Sequence, residues 1–467
     1  MKKIVSICLW LGGLLGMASC DKELFQSPLT SKELSNFLQN EIEVEEYVNA
    51  TYAKLQANGL YGLYFPAFSE IQSDVTYDEV PANDNGTYGQ IDQFAIIPAN
   101  EMVTTVWRDS YRAIQRANVV LNRIDKVSYA VEATKKARVG EMKFIRALLY
   151  FNLVRLYGDV PLVTQETENP NAYFGQGRTP VAQVYDQIKK DLTDAIATLP
   201  ETTTLPGKVV KTAAQTLLAK VHLTQKNYAE ARTLLQAVVA SGKHALQPNP
   251  ADVFSIANEN NKEIIFAVQF ASNVNGNTEG STMFQQNAPS GTVSGAKGHN
   301  LPTKSLYALF TAADKRRGTF ITATATGIPW SRKLAQPTVI TDGGSDVVVL
   351  RYADALLMLA EAENELGNTT AAATNLNLIR TRAGLANTTA TSQVDMRAAI
   401  DLERQLELVG EGHRWFDLLR TGTAISVMNA WFKANNILIT ISAKDLLMPI
   451  PQSQIDTDPA IKQNPGY

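Results

Sequence analysis

Aromatic and hydrogen-bonding side chains are concentrated in one early stretch of the 467-residue chain, between Tyr61 and Phe94. Seven of its 34 residues are aromatic, and Lys and Arg are absent from position 55 to position 107. An aromatic face can stack on the apolar C–H face of a sugar ring, while carboxylates and amides bond the hydroxyl groups. This combination predicts a sugar-binding loop and disfavours a polyanionic ligand.

The aromatic residues of this stretch fall into two groups. Tyr64, Phe65 and Phe68 lie in an apolar context, so packing is favoured over ligand contact for these three. Tyr77 and Tyr88 lie among Asp, Asn and Gly, a setting typical of exposed loops, and we predict that both contact a ligand. Three polar side chains of the same region are further candidate ligand contacts: Asp74, Asn83 and Asn85.

A second irregular stretch extends from Ser272 to Pro302. It holds five Gly, five Asn and a single Phe, Tyr or Trp residue, which is Phe284. A connection of this length without structural periodicity usually carries function or is disordered. Trp330 follows in another loop setting. We expect Phe284 and Trp330 to complete a stacking platform with the two tyrosines.

The sequence contains no pattern typical of an enzyme or of a zinc site. Its four histidines never form a close pair, and its two cysteines lie at positions 8 and 20. Neither a Gly-x-Ser-x-Gly elbow nor a phosphate-binding loop occurs. Asp74, Asp78 and Glu79 could include a glycosidase pair, although three acids in one short loop more often solvate it. We predict a binding protein without a cofactor, and leave calcium at the ligand site as an alternative.

The elements that must position these loops are helical. Apolar residues recur at helical spacing over Glu101–Lys126, and Glu141–Tyr157 is apolar on nearly every face, as a buried central helix is. Two helix–turn–helix units, Lys211–Gly242 and Arg351–Gly384, have about the length of a tetratricopeptide repeat. Two short apolar runs are typical of strands: Glu263–Phe270 and Ile437–Ile441. The predicted fold is mainly α, a tetratricopeptide-like helical repeat scaffold with irregular loops and a few short strands.

The N-terminus carries a predicted secretion signal. Lys2 and Lys3 precede an apolar run, Ile4–Met17, that is too short to span a bilayer. The following Met17-Ala18-Ser19-Cys20 resembles a bacterial lipobox, in which the Cys becomes the first mature residue and is acylated. Cleavage would leave 41 basic and 46 acidic side chains, a formal charge of −5. Binding of nucleic acid through phosphates is disfavoured by this charge.

Ordered sequence blocks along the mature chain carry a family resemblance. They are Trp107–Tyr111, Glu141–Phe151, Leu156–Leu162, Arg351–Asp354, Leu376–Gly384, Glu411–Arg420 and Gln463–Tyr467. No single block identifies a family by itself, but the order of all the blocks behind a lipobox is specific for one. The chain resembles the SusD/RagB family of outer-membrane nutrient-binding lipoproteins.

This resemblance implies a domain organisation. The signal peptide covers 1–19, lipidated Cys20 and its tether cover 20–40, and a single SusD-like helical domain covers 41–467. Repeat-like helix pairs are expected near 101–157, 181–242 and 351–384. Ligand-binding loops are expected near 61–94 and 272–335.

The resemblance also implies a function that helices alone do not. Family members act as a lid on a SusC-like, TonB-dependent β-barrel transporter and deliver captured oligosaccharides to it. The chain would be lipid-anchored in the outer membrane of a Gram-negative, Bacteroides-type bacterium and would face the cell surface. Three alternatives stay open: a peptide-binding member of the family, a glycoside hydrolase on a helical scaffold, and a plain repeat scaffold for protein partners.

Overall fold

A computed structural model describes residues 37–467 except 170, 275, 277 and 278. The predicted signal peptide and Cys20 lie outside the described residues, and so does most of the tether. Among the described helices, none combines the length and apolarity that crossing a bilayer requires. The domain boundaries given above stay predictions.

Helices dominate the described part of the chain, which confirms the predicted fold class. Sixteen α-helices are present there. They are α1 (Glu41–Ala53), α2 (Tyr64–Phe68), α3 (Thr87–Asp92), α4 (Glu101–Arg123), α5 (Glu132–Tyr157), α6 (Val181–Thr198), α7 (Lys211–Thr224), α8 (Tyr228–Ala240), α9 (Met283–Asn287), α10 (Lys304–Leu309), α11 (Tyr352–Glu365), α12 (Thr369–Arg382), α13 (Gln393–Leu408), α14 (Arg414–Thr421), α15 (Ala424–Ala434) and α16 (Gln452–Thr457).

Six short strands form three antiparallel pairs within the described residues. The pairs are β1 (Thr76–Tyr77) with β3 (Leu301–Pro302), β2 (Ile264–Val268) with β6 (Val347–Arg351), and β4 (Ile321–Ala323) with β5 (Pro329–Ser331). The strand predicted within Glu263–Phe270 is therefore confirmed as β2. These pairs close the loop regions onto the helices and do not build a sheet-based core.

The strand predicted at Ile437–Ile441 is wrong, because this segment is irregular. The Asn429 side chain, and not a partner strand, bonds the backbone groups of Ile441 at the end of this run. The Ile441 amide donates to Asn429 Oδ1 at 2.8 Å, and Asn429 Nδ2 donates to the Ile441 carbonyl at 3.0 Å. Because Asn429 belongs to α15, the run is held against that helix.

Helix α5 is the centre of the bundle and is buried on nearly every face of its second half. Gly140 allows its close approach to α6, since a Cβ there would lie 2.6 Å from Thr198 Oγ1. Arg146 on the same helix forms a buried bidentate pair with Asp191 of α6, at 2.7 and 2.8 Å. This pairing satisfies a charge that would be costly to bury alone.

A buried set of alternating charges connects α12 and α13 to the loops and strands before them. We call it the core ion network, and its members are Glu263, Asp314, Arg316, Lys333, Arg351, Arg382, Glu403, Glu407 and Glu411. Glu407 is central: Arg351 Nη1 lies 2.7 Å and Arg316 Nη1 lies 3.0 Å from its carboxylate. Burial alone would raise the pKa of Glu407, but the surrounding arginines hold it well below its ordinary value.

We expect Glu407→Gln to lower the free energy of unfolding by about 3–5 kcal/mol, because it leaves buried cations without their shared partner. Urea denaturation followed by circular dichroism measures this. Glu365→Gln is the matched control, since Glu365 pairs with Arg397, whose side chain is 47% exposed. Its expected effect is below about 1 kcal/mol. Equal losses in the two variants would contradict a central role for Glu407.

Candidate functional site

A cleft with an empty volume of about 1270 Å³ lies between the helices and the loop regions predicted from the sequence. Its loop side is lined by Phe284, Asn287, Asn300, Trp330 and Ser331. Its helix side is lined by Leu148, Asn152, Arg155, Leu217, Lys220 and Phe416, from α5, α7 and α14. The loop side presents aromatic rings and amides, whereas the helix side presents apolar side chains and the cations Arg155 and Lys220.

An aromatic pair marks the loop side of the cleft. Phe284 of α9 and Trp330 of β5 meet edge to face, with ring centroids 5.9 Å apart and planes at 71°. Phe284 is buried, whereas Trp330 is half-buried. The Arg332 guanidinium lies 5.0 Å from the centroid of the indole ring. The structure thus brings Phe284 and Trp330 together, as expected, and their contact with a ligand stays a prediction.

Tyr77 lies on a strand close to this pair. It pairs with Leu301 in the β1–β3 ladder, and β3 packs against β5, the strand of Trp330. Its ring is half-buried. Tyr77 therefore stays a candidate for the edge of the platform.

Asn83 and Asn85 lie on a strained turn between β1 and α3. Asn83 is half-buried and Asn85 is exposed. Asp84, Asn85 and Gly86 follow one another with φ of 50°, 57° and 73°. Residues other than glycine rarely adopt this left-handed backbone conformation, and those that do are often found at functional sites. Both amides remain candidates.

The predicted exposure of Tyr88 is wrong. Its side chain is 2% exposed and stacks on the His299 ring, with centroids 3.7 Å apart and planes at 8°. Tyr88 lies in the first turn of α3, not in a loop, and this turn directs the ring inward. Burial raises the pKa of the phenol well above its ordinary value. Tyr88 supports the loops from within and does not face the cleft.

Asp74 is also engaged in a structural role. The Arg414 guanidinium contacts both of its carboxylate oxygens, Nε at 2.7 Å and Nη2 at 2.9 Å. A bidentate pair of this kind is geometrically demanding and strong. Asp74 therefore ties the first loop region to α14, and its contact with a ligand stays a prediction.

A buried histidine joins the two loop regions. His299 Nδ1 lies 2.8 Å from Asp78, and its Nε2 lies 2.9 Å from Asp84, the residue at which the strained turn begins. Lys297 also contacts Asp84, at 2.8 Å, and Glu79 accepts from the Ser290 amide at 2.7 Å. We call these contacts the loop junction. The three acids considered as a glycosidase pair therefore all have partners. Asp78 and Glu79 belong to the loop junction, and Asp74 pairs with Arg414.

The sequence did not single out Asn287, Asn300 or Glu70. Asn287 and Asn300 line the cleft, and Asn300 Oδ1 accepts no hydrogen bond from the described residues. Glu70 lies behind them and accepts from the Gly410 amide at 2.9 Å. Burial raises the pKa of Glu70 to about 7. The Asn-rich composition of 272–302 was the available signal for the two amides, whereas Glu70 was one of several acids in the stretch 61–94 and nothing distinguished it from the others.

Sequence profiles of known families match two parts of the chain. A profile described as "SusD family" matches residues 318–467. A second profile, described as "Starch-binding associating with outer membrane", matches residues 29–223. Together they include the loop region 61–94, Trp330 and the C-terminal part of the core ion network.

Known proteins of similar length extend this likeness. The SusD-like protein P25 of Formosa agariphila is 27% identical, over 100% of both chains. A solved structure named "Laminarin binding SusD-like protein" is 26% identical, with a TM-score of 0.79 over 92% of this chain and 100% of that chain. Surface glycan-binding protein A from Bacteroides thetaiotaomicron, solved with laminarihexaose, shares the fold at 22% identity, with a TM-score of 0.77 over 91% of this chain and 100% of that chain.

Glu70 gives a pH-dependent prediction. Because its pKa is about 7 in the folded protein and about 4.5 ordinarily, folding favours its protonated form. The free-energy cost of keeping the ionisable Glu70 carboxyl buried is absent below pH 4.5. It grows as the pH rises and reaches its full value above pH 7. We expect wild type to lose on the order of 2 kcal/mol more stability than Glu70→Gln between pH 5 and pH 8.

Urea denaturation across this pH range measures the difference. Exposed Glu132→Gln is the control and should follow wild type at every pH. Parallel curves for wild type and Glu70→Gln would contradict the raised pKa.

Proposed function

The chain belongs to the SusD-like family, and on this basis we propose that it binds a glycan at the loop side of the cleft. The observation that carries the proposal is the Phe284–Trp330 pair, which lies beside the amides of Asn287 and Asn300. An aromatic surface flanked by neutral hydrogen-bonding groups matches the apolar face and the hydroxyl rim of a sugar. The likeness to a laminarin-binding protein supports this ligand class.

Binding, not hydrolysis, is the activity that the acidic residues favour. A glycosidase needs two carboxyl groups placed across the bond that is cleaved. Here Asp74 is paired with Arg414, Asp78 contacts His299, and Glu79 accepts from the Ser290 amide. The acids of this loop therefore hold the loop regions in place.

The proposed cellular role is that of a lipid-anchored lid. Cys20 would carry the lipid, and residues 20–40 would connect it to α1. The profile description "associating with outer membrane" supports this location. A TonB-dependent, SusC-like β-barrel is the proposed partner, to which the bound glycan would be delivered.

The ligand site is tested by replacing Trp330. We expect Trp330→Ala to weaken the binding of a recognised polysaccharide by about fivefold, because it removes a stacking surface worth about 1 kcal/mol. Affinity electrophoresis and calorimetry with a polysaccharide panel that begins with laminarin measure this. Trp431→Ala is the matched control, since Trp431 of α15 is half-buried and does not line the cleft.

Several outcomes would contradict the ligand proposal. Unchanged binding in Trp330→Ala would remove Trp330 from the site. Binding of oligopeptides without any polysaccharide would favour the peptide-binding alternative. Reducing sugar released by purified protein would show hydrolysis.

The anchor is tested by Cys20→Ser. We expect this variant to lose the incorporation of labelled palmitate and to move from the membrane fraction to the soluble fraction, because the thiol that accepts the lipid is absent. Cys8→Ser is the matched control, since Cys8 lies within the predicted signal peptide and should leave both properties unchanged. A Cys20→Ser protein that stays labelled and membrane-bound would contradict lipidation at this residue.

A further inference from the structure

Arg155 on the helix side of the cleft is held between two aromatic rings. Its guanidinium carbon lies 3.9 Å from the centroid of Phe151 and 3.7 Å from that of Phe416. Its Nε donates to the Phe151 carbonyl at 3.0 Å, and its Nη2 donates to Asn152 Oδ1 at 2.8 Å. Its Nη1 has no hydrogen-bond partner among the described residues. With both faces covered, only the N–H edge of the guanidinium is available to a ligand.

Arg155 is half-buried and has no carboxylate within 4.0 Å, whereas each fully buried arginine of the described chain contacts at least one. Arg316, Arg351 and Arg404 each contact at least two carboxylates. Burial lowers the pKa of Arg155 to about 10, which leaves it charged at neutral pH. A cation in such a setting is costly unless a counter-charge is supplied.

The carboxylates next to Arg155 are engaged by other cations. Lys220 Nζ lies 2.8 Å from Asp354, which also accepts from Arg404. Arg420 contacts Glu361 and Asp417, and Arg404 also contacts Asp417, so these three carboxylates pair with cations other than Arg155. His413, which contacts Lys220, does not add to the charge, since burial and that lysine lower its pKa to about 3.

We propose that the helix side of the cleft binds one small monoanion, of the size of chloride or acetate. The free Nη1 of Arg155 donates to it, and Lys220 faces the same cleft. The anion supplies the negatively charged partner that Arg155 lacks, and the apolar walls formed by Leu148, Leu217 and Leu223 strengthen the electrostatic attraction. The anion comes from the solution. It does not belong to the glycan of the proposed function, so the site can be tested without that ligand.

The site is tested first by locating the anion. Crystals of the soluble domain soaked in bromide should show an anomalous peak within hydrogen-bonding distance of Arg155 Nη1. Crystals of Arg155→Met should lack that peak. If bromide is absent from Arg155 in wild type, the proposal is overturned.

A solution measurement gives an independent test. Chloride or acetate replaces a bulky sulfonate at constant ionic strength, and the melting temperature is recorded, since an anion that binds only the folded state raises it. Arg155→Met should lose this anion dependence, whereas Arg155→Lys, which keeps the charge but not the planar donor edge, should bind at least about tenfold more weakly than wild type.

Arg178→Met is the matched control. Arg178 is half-buried, contacts the Asp159 carbonyl and Asn464 Oδ1, and has no carboxylate partner among the described residues. Because it does not line the cleft, its variant should keep the anion dependence of wild type. The same anion dependence in wild type and Arg155→Met would overturn the proposal. So would stabilisation by a uronic-acid oligosaccharide without any stabilisation by chloride or acetate.

Discussion

The buried pairing between Glu407, Glu411 and their cations is the interaction on which the geometry of the cleft depends. Lys333 follows the strand of Trp330 by two residues, and its Nζ donates to the Glu407 carbonyl at 2.7 Å. Arg351 ends β6 and contacts both glutamates. The C-terminal helices thus hold the two strands that carry the loop side of the cleft. The described residues contain no cysteine, so ion pairs and the helical core, and not a disulfide, hold these strands.

Local sequence patterns predicted the helices well, because helical periodicity depends on residues three and four positions apart. Ion pairs also connect these helices, since Arg146 contacts Asp191 and Arg404 contacts Asp417. The identity of distant partners was beyond that reasoning, since Arg414 and Asp74 are 340 positions apart.

The wrong predictions for Tyr88 and for Ile437–Ile441 have the same physical origin. Polar neighbours in the sequence placed Tyr88 on the surface, but a partner 211 positions away, His299, covers its ring. Ile437–Ile441 has the composition of a strand but pairs with no strand, and the Asn429 side chain bonds both backbone groups of Ile441. In both cases the deciding contact is tertiary and overrides a correct local tendency. Phe284 and Trp330 do meet, although Phe284 lies in helix α9 and Trp330 in strand β5 and neither lies in an irregular loop as predicted. Their contact with a ligand stays a prediction.

The loop junction suggests why the strained turn at Asp84 persists. Two successive non-glycine residues with positive φ cost free energy, on the order of 1–3 kcal/mol each. His299 and Lys297 both contact the Asp84 carboxylate, and these contacts offset the strain. The turn that presents Asn85 is therefore fixed before any ligand arrives. A fixed loop loses less conformational entropy on binding than a flexible one, which favours the capture of a hydroxyl-rich ligand whose individual contacts are weak.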